Sequence, residues 1–371
     1  MKLYLRELSL INYRNYSKLE LDFNSNLIII SGRNAQGKTN ILESIFLSCT
    51  GRSHRTPRDR ELIMHGEKES MIRTMVQKRE GPSLIEITLS LKENKKIHIN
   101  GMAAQRIGEL MGHINGVLFS PEDLKLVKGS PAERRRFMDM EISQIKPQYF
   151  YSLQQYNRIL NHRNNLLKDI NDNKSLRNTL PVWDEQIARV GTYIIIERLD
   201  FTDKIGKIAR KIHKEISSSH EDLEVLYEPS IGFNSLHMDE IEKNYLYELE
   251  SNHEEDIKRG STGKGCHRDD LSIRIDNLDV RTFGSQGQQR TAVLSLKLSE
   301  IEMMFRETGE YPLLLLDDVL SELDKYRQEQ LLSYFDNVQT FMTLTDYPGI
   351  LGDIGSNQEI YEVSGGRVTK I

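Results

Sequence analysis

Eight consecutive residues near the start of the chain have the pattern of a phosphate-binding loop. In such a loop, backbone amides curl around the phosphates, a lysine places its charge beside the β- and γ-phosphates, and the next hydroxyl reaches Mg²⁺. The apolar run 27–30 leads into Gly32, Arg33, Asn34, Ala35, Gln36, Gly37, Lys38 and Thr39. The pattern predicts a site for ATP and Mg²⁺ in which Lys38 is catalytic, Thr39 binds the metal, and Asn40 opens a helix whose dipole faces the phosphates.

Two aspartates at the far end of the chain fit the same chemistry. The apolar run 311–316 ends in Asp317 and Asp318, which is typical of the buried strand that supplies a carboxylate to Mg²⁺. We expect Asp317 to be that carboxylate. We expect Asp318 to be the catalytic base that polarises the attacking water.

The segments around these aspartates resemble motifs of the ABC-type ATPases. Residues 284–290 read GSQGQQR, like a signature motif, and residues 319–324 read VLSELD, like the D-loop of that class. Apolar residues recur at helical spacing after the signature, which predicts a helix from Gln288 to about Arg306. The resemblance implies that Ser285, Gly287 and Gln288 contact the γ-phosphate held by a second subunit, with Ser285 catalytic. It therefore implies an ATP-dependent homodimer.

Two departures from the transporter ATPases concern the rate of hydrolysis. Transporters usually have glutamate as the base, whereas Asp318 is shorter by one methylene. They also have a histidine where the strand 341–345 of this chain ends in threonine, which cannot carry a charge. Slow turnover is expected. Gln105 and Glu122 both remain candidates for the loop that senses the γ-phosphate from the lobe side.

A large insertion must lie between the two halves of this site, because Lys38 and Asp317 are 279 residues apart. Heptad-like apolar steps at 149–167 and again at 187–212 predict two antiparallel helices. Thr179 and Pro181 look like the cap and first turn of the second helix. At 1.5 Å per residue that helix would reach about 50 Å, much shorter than an SMC arm. An ordinary helical bundle would explain the same stripes.

Over almost its whole length the chain resembles the RecF family of bacterial recombination mediators. The resemblance rests on LSLINYRNY at 8–16, TGRSHR at 50–55, LFSPEDL at 118–124, VKGSPAERRRF at 127–137, HRDD at 267–270 and SQGQQR at 285–290. It implies a cytoplasmic protein that binds single- and double-stranded DNA as an ATP-dependent dimer. It further implies that the protein acts with RecO and RecR to load RecA at single-strand gaps, in DNA repair and replication restart.

Composition is compatible with this function but does not establish it. The net charge of −5 gives no global attraction for DNA, so DNA binding would have to rely on local basic patches. Two cysteines argue for a reducing compartment, and no apolar run approaches the length of a membrane span. We therefore expect a cytoplasmic location and no membrane partner.

Two arginine-rich segments are candidates for binding DNA phosphates. The first follows the phosphate-loop helix and includes Arg52, Arg55 and Arg58, and the second includes Arg134 and Arg135. Most basic runs of this kind lie on the solvated surface without binding DNA, and that is the alternative interpretation of each segment. Arg14 follows the first strand and either approaches the nucleotide or ends a surface strand.

The predicted architecture is an α/β ABC-type ATPase head with a mixed sheet, interrupted by a helical domain. The head would comprise residues 1–120 and 263–371, and the insertion 121–262 with its helical hairpin. A transporter ATPase would require a membrane partner, and an SMC-type clamp would require long arms. A metal nuclease would need a cluster such as 267–270, which fits structural ion pairs or DNA-side contacts better.

Overall fold

The chain folds into two units, each with its own internal contacts. The computed structural model describes residues 3–217, 221–335, 337–345 and 358–371. The first unit comprises Met1–Asp123 and Leu294–Ile371, and the second comprises Leu124–Val293.

The first unit contains twelve of the described strands in two six-stranded sheets. In chain order these strands are β1 (Tyr4–Tyr13), β2 (Tyr16–Asp22), β3 (Leu27–Ser31), β4 (Glu69–Lys78), β5 (Gly81–Ser90), β6 (Lys96–Ile99), β7 (Met102–Ala103), β8 (Gly116–Phe119), β12 (Leu313–Asp317), β13 (Thr340–Leu344), β14 (Gln358–Ser364) and β15 (Arg367–Lys370). Its helices are α1 (Lys38–Thr50) and α10 (Lys325–Leu332).

The second unit is mainly helical in its described part. Its helices are α2 (Lys125–Lys128), α3 (Pro131–Ile145), α4 (Pro147–Asp172), α5 (Leu180–Ile216), α6 (Met238–Ser251), α7 (His253–Arg259) and α8 (Val280–Phe283), and its strands are β9 (Leu223–Glu228), β10 (Asp270–Ile275) and β11 (Leu278–Asp279). The helix α9 (Gln286–Thr308) begins in the second unit and ends in the first. Within the described residues, no helix is both long and apolar enough to cross a membrane.

One sheet of the first unit positions the nucleotide motifs. Its strand order is β15-β14-β3-β13-β12-β8, and every neighbouring pair is parallel except β14 with β15. All five residues of β3 are buried, as expected for a parallel strand covered on both faces. The carboxyl ends of β3 and β12 therefore lie at one edge of the sheet, with β13 between them. The predicted mixed α/β sheet is confirmed.

The other sheet is antiparallel, in the order β2-β1-β4-β5-β6-β7. Buried and more exposed residues alternate along β5, which is typical of a sheet with one face on the core. Its buried face shares a core with α1 and the parallel sheet, where Ile72 and Ile87 join Ile41 and Phe341. Burial of this continuous apolar surface is the main stabilising contribution within the first unit.

The predicted helical hairpin corresponds to α4 and α5, which pack against each other and are joined by a short 3₁₀ segment, Lys174–Thr179. With 37 residues, α5 is about 55 Å long. Thr179 is the N-cap residue of α5, as predicted, but its hydroxyl donates to the Leu176 carbonyl and makes no capping bond to the helix. Pro181 does lie in the first turn, where its missing N–H is tolerated.

The boundary after the insertion differs from the expected residue 263. The segment 263–293 belongs to the second unit, and the first resumes at Leu294. Strand β10 causes this difference, because it pairs antiparallel with β9 from Asp270 opposite Glu228 to Ile275 opposite Leu223. A long-range pairing of this kind leaves no local signal in the sequence.

Candidate nucleotide-binding site

The phosphate-loop residues form a tight curl between β3 and α1. Gly32 has φ +148° and a Cβ there would lie 2.3 Å from the Val363 carbonyl oxygen. Gly37 has φ +116° and a Cβ there would lie 2.5 Å from Nδ2 of Asn15. Both positions therefore require glycine. Arg33, Asn34 and Ala35 are exposed on the curl, which leads into the N-terminus of α1, where free amides favour an anion.

Lys38 is buried and directed into this curl. Its Nζ donates to the carbonyl oxygens of Gly32 at 2.5 Å and Arg33 at 3.0 Å. Burial lowers the pKa of Lys38 from its ordinary value, while the nearby Asp318 and Asp317 carboxylates act in the opposite direction. The ammonium charge thus lies where the loop amides would surround a phosphate.

Thr39 and Asp317 meet as the sequence predicts. The Thr39 hydroxyl donates to Oδ1 of Asp317 at 2.8 Å, although 278 residues separate the two. A hydroxyl and a carboxylate are the hard oxygen ligands that Mg²⁺ prefers beside nucleotide phosphates. The chemistry of this pair therefore fits a metal bound together with ATP.

Thr343 also contacts this pair, which the sequence did not indicate. Its Oγ1 donates to Oδ1 of Asp317 at 2.9 Å, and it accepts from the backbone N–H of Asp318 at 2.9 Å. Asp318 itself is half-buried and has φ +55°, a conformation that few residues other than glycine, asparagine and aspartate adopt. One buried hydroxyl thus contacts the Asp317 carboxylate and the backbone of Asp318.

Asn15 supports the loop from the turn between β1 and β2. Its Nδ2 donates to the Gln36 carbonyl oxygen at 2.9 Å, and its Oδ1 accepts from Nδ2 of Asn40 at 2.8 Å. The neighbouring Tyr16 hydroxyl donates to the Gly37 carbonyl oxygen at 3.0 Å. Sequence reasoning missed both residues. Their only signal was their position beside Arg14 in a motif typical of the family.

Arg14 forms a bidentate ion pair with Glu43 of α1. Its Nε and Nη2 donate to the Glu43 carboxylate at 2.8 and 2.7 Å, and Nη1 donates to the Glu61 carbonyl oxygen at 2.8 Å. Burial acts to raise the pKa of Glu43, but hydrogen bonds from Arg14 and Ser53 outweigh it and hold the pKa below its ordinary value. These contacts fix the end of β1 against α1. Direct contact between Arg14 and a nucleotide stays a prediction.

The signature segment lies at the N-terminus of α9. This helix begins at Gln286, two residues before the predicted start at Gln288. Ser285 is exposed, and its Oγ accepts from the N–H of Gln288 at 3.2 Å, while its own N–H donates to Oε1 of Gln288 at 2.8 Å. This reciprocal pair is a capping box, which explains why the helix begins here. Gly287 follows in the first turn. Contact of this segment with a phosphate of a second copy stays a prediction.

The first arginine segment remains compatible with DNA binding. Arg52, Arg55 and Arg58 are exposed. Arg55 donates to Oδ1 of Asn40 at 2.9 Å, and Arg58 lies 3.4 Å from the Glu61 carboxylate. Arg55 therefore also touches the helix that begins at the phosphate loop.

The second arginine segment does not present free charges to DNA. Arg134 is only 5 % exposed and pairs with both carboxylate oxygens of Asp270, at 2.7 and 2.8 Å. The prediction that Arg134 binds DNA is therefore wrong, because its guanidinium is paired with Asp270, which lies 136 residues away in the sequence. Arg135 is half-buried and donates to the Asp269 carbonyl oxygen at 2.6 Å, so its availability is reduced as well.

The HRDD segment has a structural role in the second unit. Asp269 is fully buried and accepts from Arg198 at 2.9 Å, while Arg198 also donates to Asp139 at 2.9 Å and to the Tyr149 hydroxyl at 3.0 Å. Burial lowers the pKa of His267 to about 4, so its ring is neutral. Within the described residues, no group of three or more His, Cys, Asp or Glu side chains is placed to hold a metal. The ion-pair interpretation of this segment is the one that these contacts support.

Comparison with known proteins gives a consistent result at the level of sequence. Residues 4–347 match the family described as RecF/RecN/SMC N terminal domain. A DNA replication and repair protein RecF from Alkaliphilus oremlandii is 49% identical over 342 residues, covering 92% of this chain and 93% of the relative. Its counterpart from Clostridium tetani is 44% identical over 366 residues, covering 98% and 99%.

Solved structures extend the similarity to the fold. A structure of the recombination mediator protein RecF with ATP, in the RecFOR pathway, superposes with a TM-score of 0.94 at 38% identity, covering 100% of this chain and 98% of that one. The Smc head domain from Pyrococcus furiosus gives a TM-score of 0.57 at 15% identity, covering 100% and 96%, which shows a shared fold only. The ABC-type ATPase head expected from the motifs is thereby confirmed.

Proposed function

This chain belongs to the RecF family of DNA replication and repair proteins, and on that premise we propose that it is an ATP-gated DNA-binding protein of recombinational repair and replication restart. The observation that supports the proposal is the meeting of Thr39 and Asp317 beside Lys38, which brings together residues from the two ends of the chain that would bind ATP and Mg²⁺. In the proposed function, an ATP-driven homodimer binds DNA at single-strand gaps or junctions. It then acts with RecO and RecR to help load RecA.

The proposed chemistry divides the site between nucleotide binding and hydrolysis. Lys38 and the loop amides bind the phosphates, and Thr39 and Asp317 would hold Mg²⁺. When bound, the metal would neutralise charge on the β- and γ-phosphate oxygens. Asp318 would orient the attacking water and accept its proton. With the shorter aspartate in this role, ATP would serve as a slow dimerisation switch.

The dimer part of the proposal depends on the signature segment. Ser285, Gly287 and Gln288 lie at the N-terminus of a helix of 23 residues, and the exposed Ser285 leaves this end accessible. Helix N-termini bind anions through free amides and the helix dipole. In the proposed dimer the anion is the γ-phosphate bound at Lys38 of the other copy.

Substituting Ser285 tests the shared site directly. Wild-type protein should sediment as a dimer with ATP and as a monomer without it, and Ser285→Arg should bind ATP yet stay monomeric and hydrolyse none. The added side chain would occupy the phosphate position. Ser235→Arg is the matched control, because Ser235 also accepts a local backbone N–H in the second unit. A wild-type monomer whose specific hydrolysis rate is the same at all concentrations would refute the shared site.

DNA binding is proposed to be electrostatic and to depend on the dimer. Arg52→Ala combined with Arg55→Ala should flatten the log–log salt dependence of duplex binding by about 0.9 for each lost phosphate contact. Sequence preference should not change, since phosphate contacts carry no base information. Binding is measured with ATP at several salt concentrations. Because Arg55 touches Asn40, ATP affinity of the variant is measured in parallel.

The control for this experiment removes the same charge elsewhere in the first unit. Arg6→Ala with Arg73→Ala changes two exposed arginines of the antiparallel sheet. If this control flattens the salt dependence as much as the test variant, net charge and not the arginine segment sets DNA affinity. An unchanged affinity and slope in the test variant would move the DNA surface away from residues 52–58.

A further inference from the structure

One buried hydroxyl contacts both consecutive aspartates of the nucleotide site. Thr343 lies in β13 and is only 1 % exposed. A hydroxyl carries one proton, so donation to Asp317 at 2.9 Å leaves its lone pairs to accept the Asp318 N–H at 2.9 Å. The two hydrogen bonds are therefore compatible and fix the direction of each.

Strand register explains why Thr343 reaches both residues. Strand β13 lies between β3 and β12, and Thr343 pairs with Ile30 on one side and with Asp317 on the other. Asp318 follows β12 with φ +55°, so the chain turns sharply after the strand. The Thr343 hydroxyl accepts the backbone N–H of Asp318 in that turn.

Thr343 has apolar neighbours along β13. Phe341, Met342 and Leu344 of the same strand are all buried and apolar. A buried hydroxyl is unfavourable unless it is hydrogen-bonded, and valine has nearly the same shape. The hydroxyl thus matters through its hydrogen-bond partners, of which the Asp317 carboxylate and the Asp318 N–H, both at 2.9 Å, are closer than the Leu316 carbonyl at 3.5 Å.

We propose that Thr343 is the positioning residue that sets both carboxylates of the site. Through Oδ1 it orients Asp317 toward the Thr39 hydroxyl, and through the backbone of Asp318 it fixes the turn from which that carboxylate projects. This inference rests on the proposed ATPase function for its catalytic consequence. Its structural consequence, a protected Asp318 amide, can be measured independently.

Thr343→Val removes the hydroxyl while keeping the shape of the side chain. We expect ATP hydrolysis to fall about 10- to 100-fold, the range for losing a hydrogen bond to a charged group. ATP affinity in EDTA should stay within about twofold, whereas the gain in affinity on adding Mg²⁺ should shrink. Hydrogen exchange of the Asp318 amide, followed by mass spectrometry, should accelerate at least about 10-fold.

Two further variants separate positioning from a general effect on folding. Thr343→Ser restores the hydroxyl and should recover both the slow amide exchange and hydrolysis. Thr340→Val makes the same chemical change on the same buried strand, at a hydroxyl that donates to the Val338 carbonyl at 3.4 Å. It should leave Asp318 exchange, Mg²⁺ response and hydrolysis unchanged.

Each outcome decides the inference. Wild-type exchange and hydrolysis in Thr343→Val would overturn it, as would equal losses in Thr340→Val. If the wild type hydrolyses no ATP, the proposed function fails, but the amide exchange and the Mg²⁺-dependent affinity still test Thr343. The inference is supported if Thr343→Val loses both the slow exchange of the Asp318 amide and the Mg²⁺-dependent gain in ATP affinity, and if Thr343→Ser recovers them.

Discussion

Asp318→Asn is expected to lower ATP hydrolysis by about 100- to 1,000-fold while an ATP-bound dimer accumulates. Asparagine has the size of aspartate but cannot accept a proton from water. It also tolerates φ +55°, and the bond from the residue 318 amide to Thr343 involves only backbone at this residue. The site should therefore keep its shape. Single-turnover hydrolysis and sedimentation with ATP measure the two effects.

Nucleotide affinity of the Asp318→Asn variant should rise. The Asp318 carboxylate is one of two negative charges near Lys38. Removing it reduces the electrostatic repulsion of the ATP phosphates. Asp276→Asn provides a control, because Asp276 also has positive φ and its Oδ1 accepts an amide hydrogen bond that asparagine retains. Full turnover with asparagine at 318 would show that another group activates the water.

Arg198→Met is expected to destabilise the second unit by about 3–5 kcal/mol. The Arg198 side chain is 2% exposed and donates to Asp139, Asp269 and Tyr149. Its removal would leave the fully buried Asp269 carboxylate without its cation, and the desolvated charge is what makes the loss large. The variant should unfold at a much lower urea concentration.

The chain offers a local probe for this experiment. Its single tryptophan, Trp183, lies on α5 and stacks on His162 at 5.2 Å, so Trp emission reports on the second unit. Arg210→Met is the matched control on the same helix, since Arg210 pairs with Asp222 at the surface. Its unfolding midpoint should barely change. Equal midpoints for both variants would show that the buried network adds no stability.

Sequence reasoning succeeded where chemistry depends on short patterns. The loop up to Thr39, the acidic pair 317–318 at the end of β12 and the helix after Ser285 each carry their signal within a few residues. Their shared role around Mg²⁺ and ATP then required the loop with Lys38 and the distant Asp317 to converge, and the 2.8 Å contact between Thr39 and Asp317 shows that they do. The heptad-like spacing of apolar residues also predicted the α4–α5 hairpin, because that spacing is visible within a single stretch of sequence.

Partners distant in sequence were the part that could not be predicted. Arg134 looked like one member of a basic run, and only the fold brings Asp270 to it. Thr343 looked like an ordinary residue of an apolar strand, since its function depends on which strand lies beside β13. The segment 263–293 was assigned to the head for the same reason, because pairing of β10 with β9 is a tertiary event.

The strand order of the parallel sheet has a consequence for synthesis of the protein. The two neighbours of β3 in the sheet are β13 and β14. They come about 310 or more residues later in the chain. At 5–20 residues per second, a ribosome needs about 15 to 60 s to make that length. During this time neither partner of β3 in the parallel sheet has been made, and the second unit, which ends at Val293, is synthesised before β13. A nascent chain therefore cannot complete the proposed ATP site until translation is nearly finished, and a message broken before β13 encodes a chain that lacks both partners of β3.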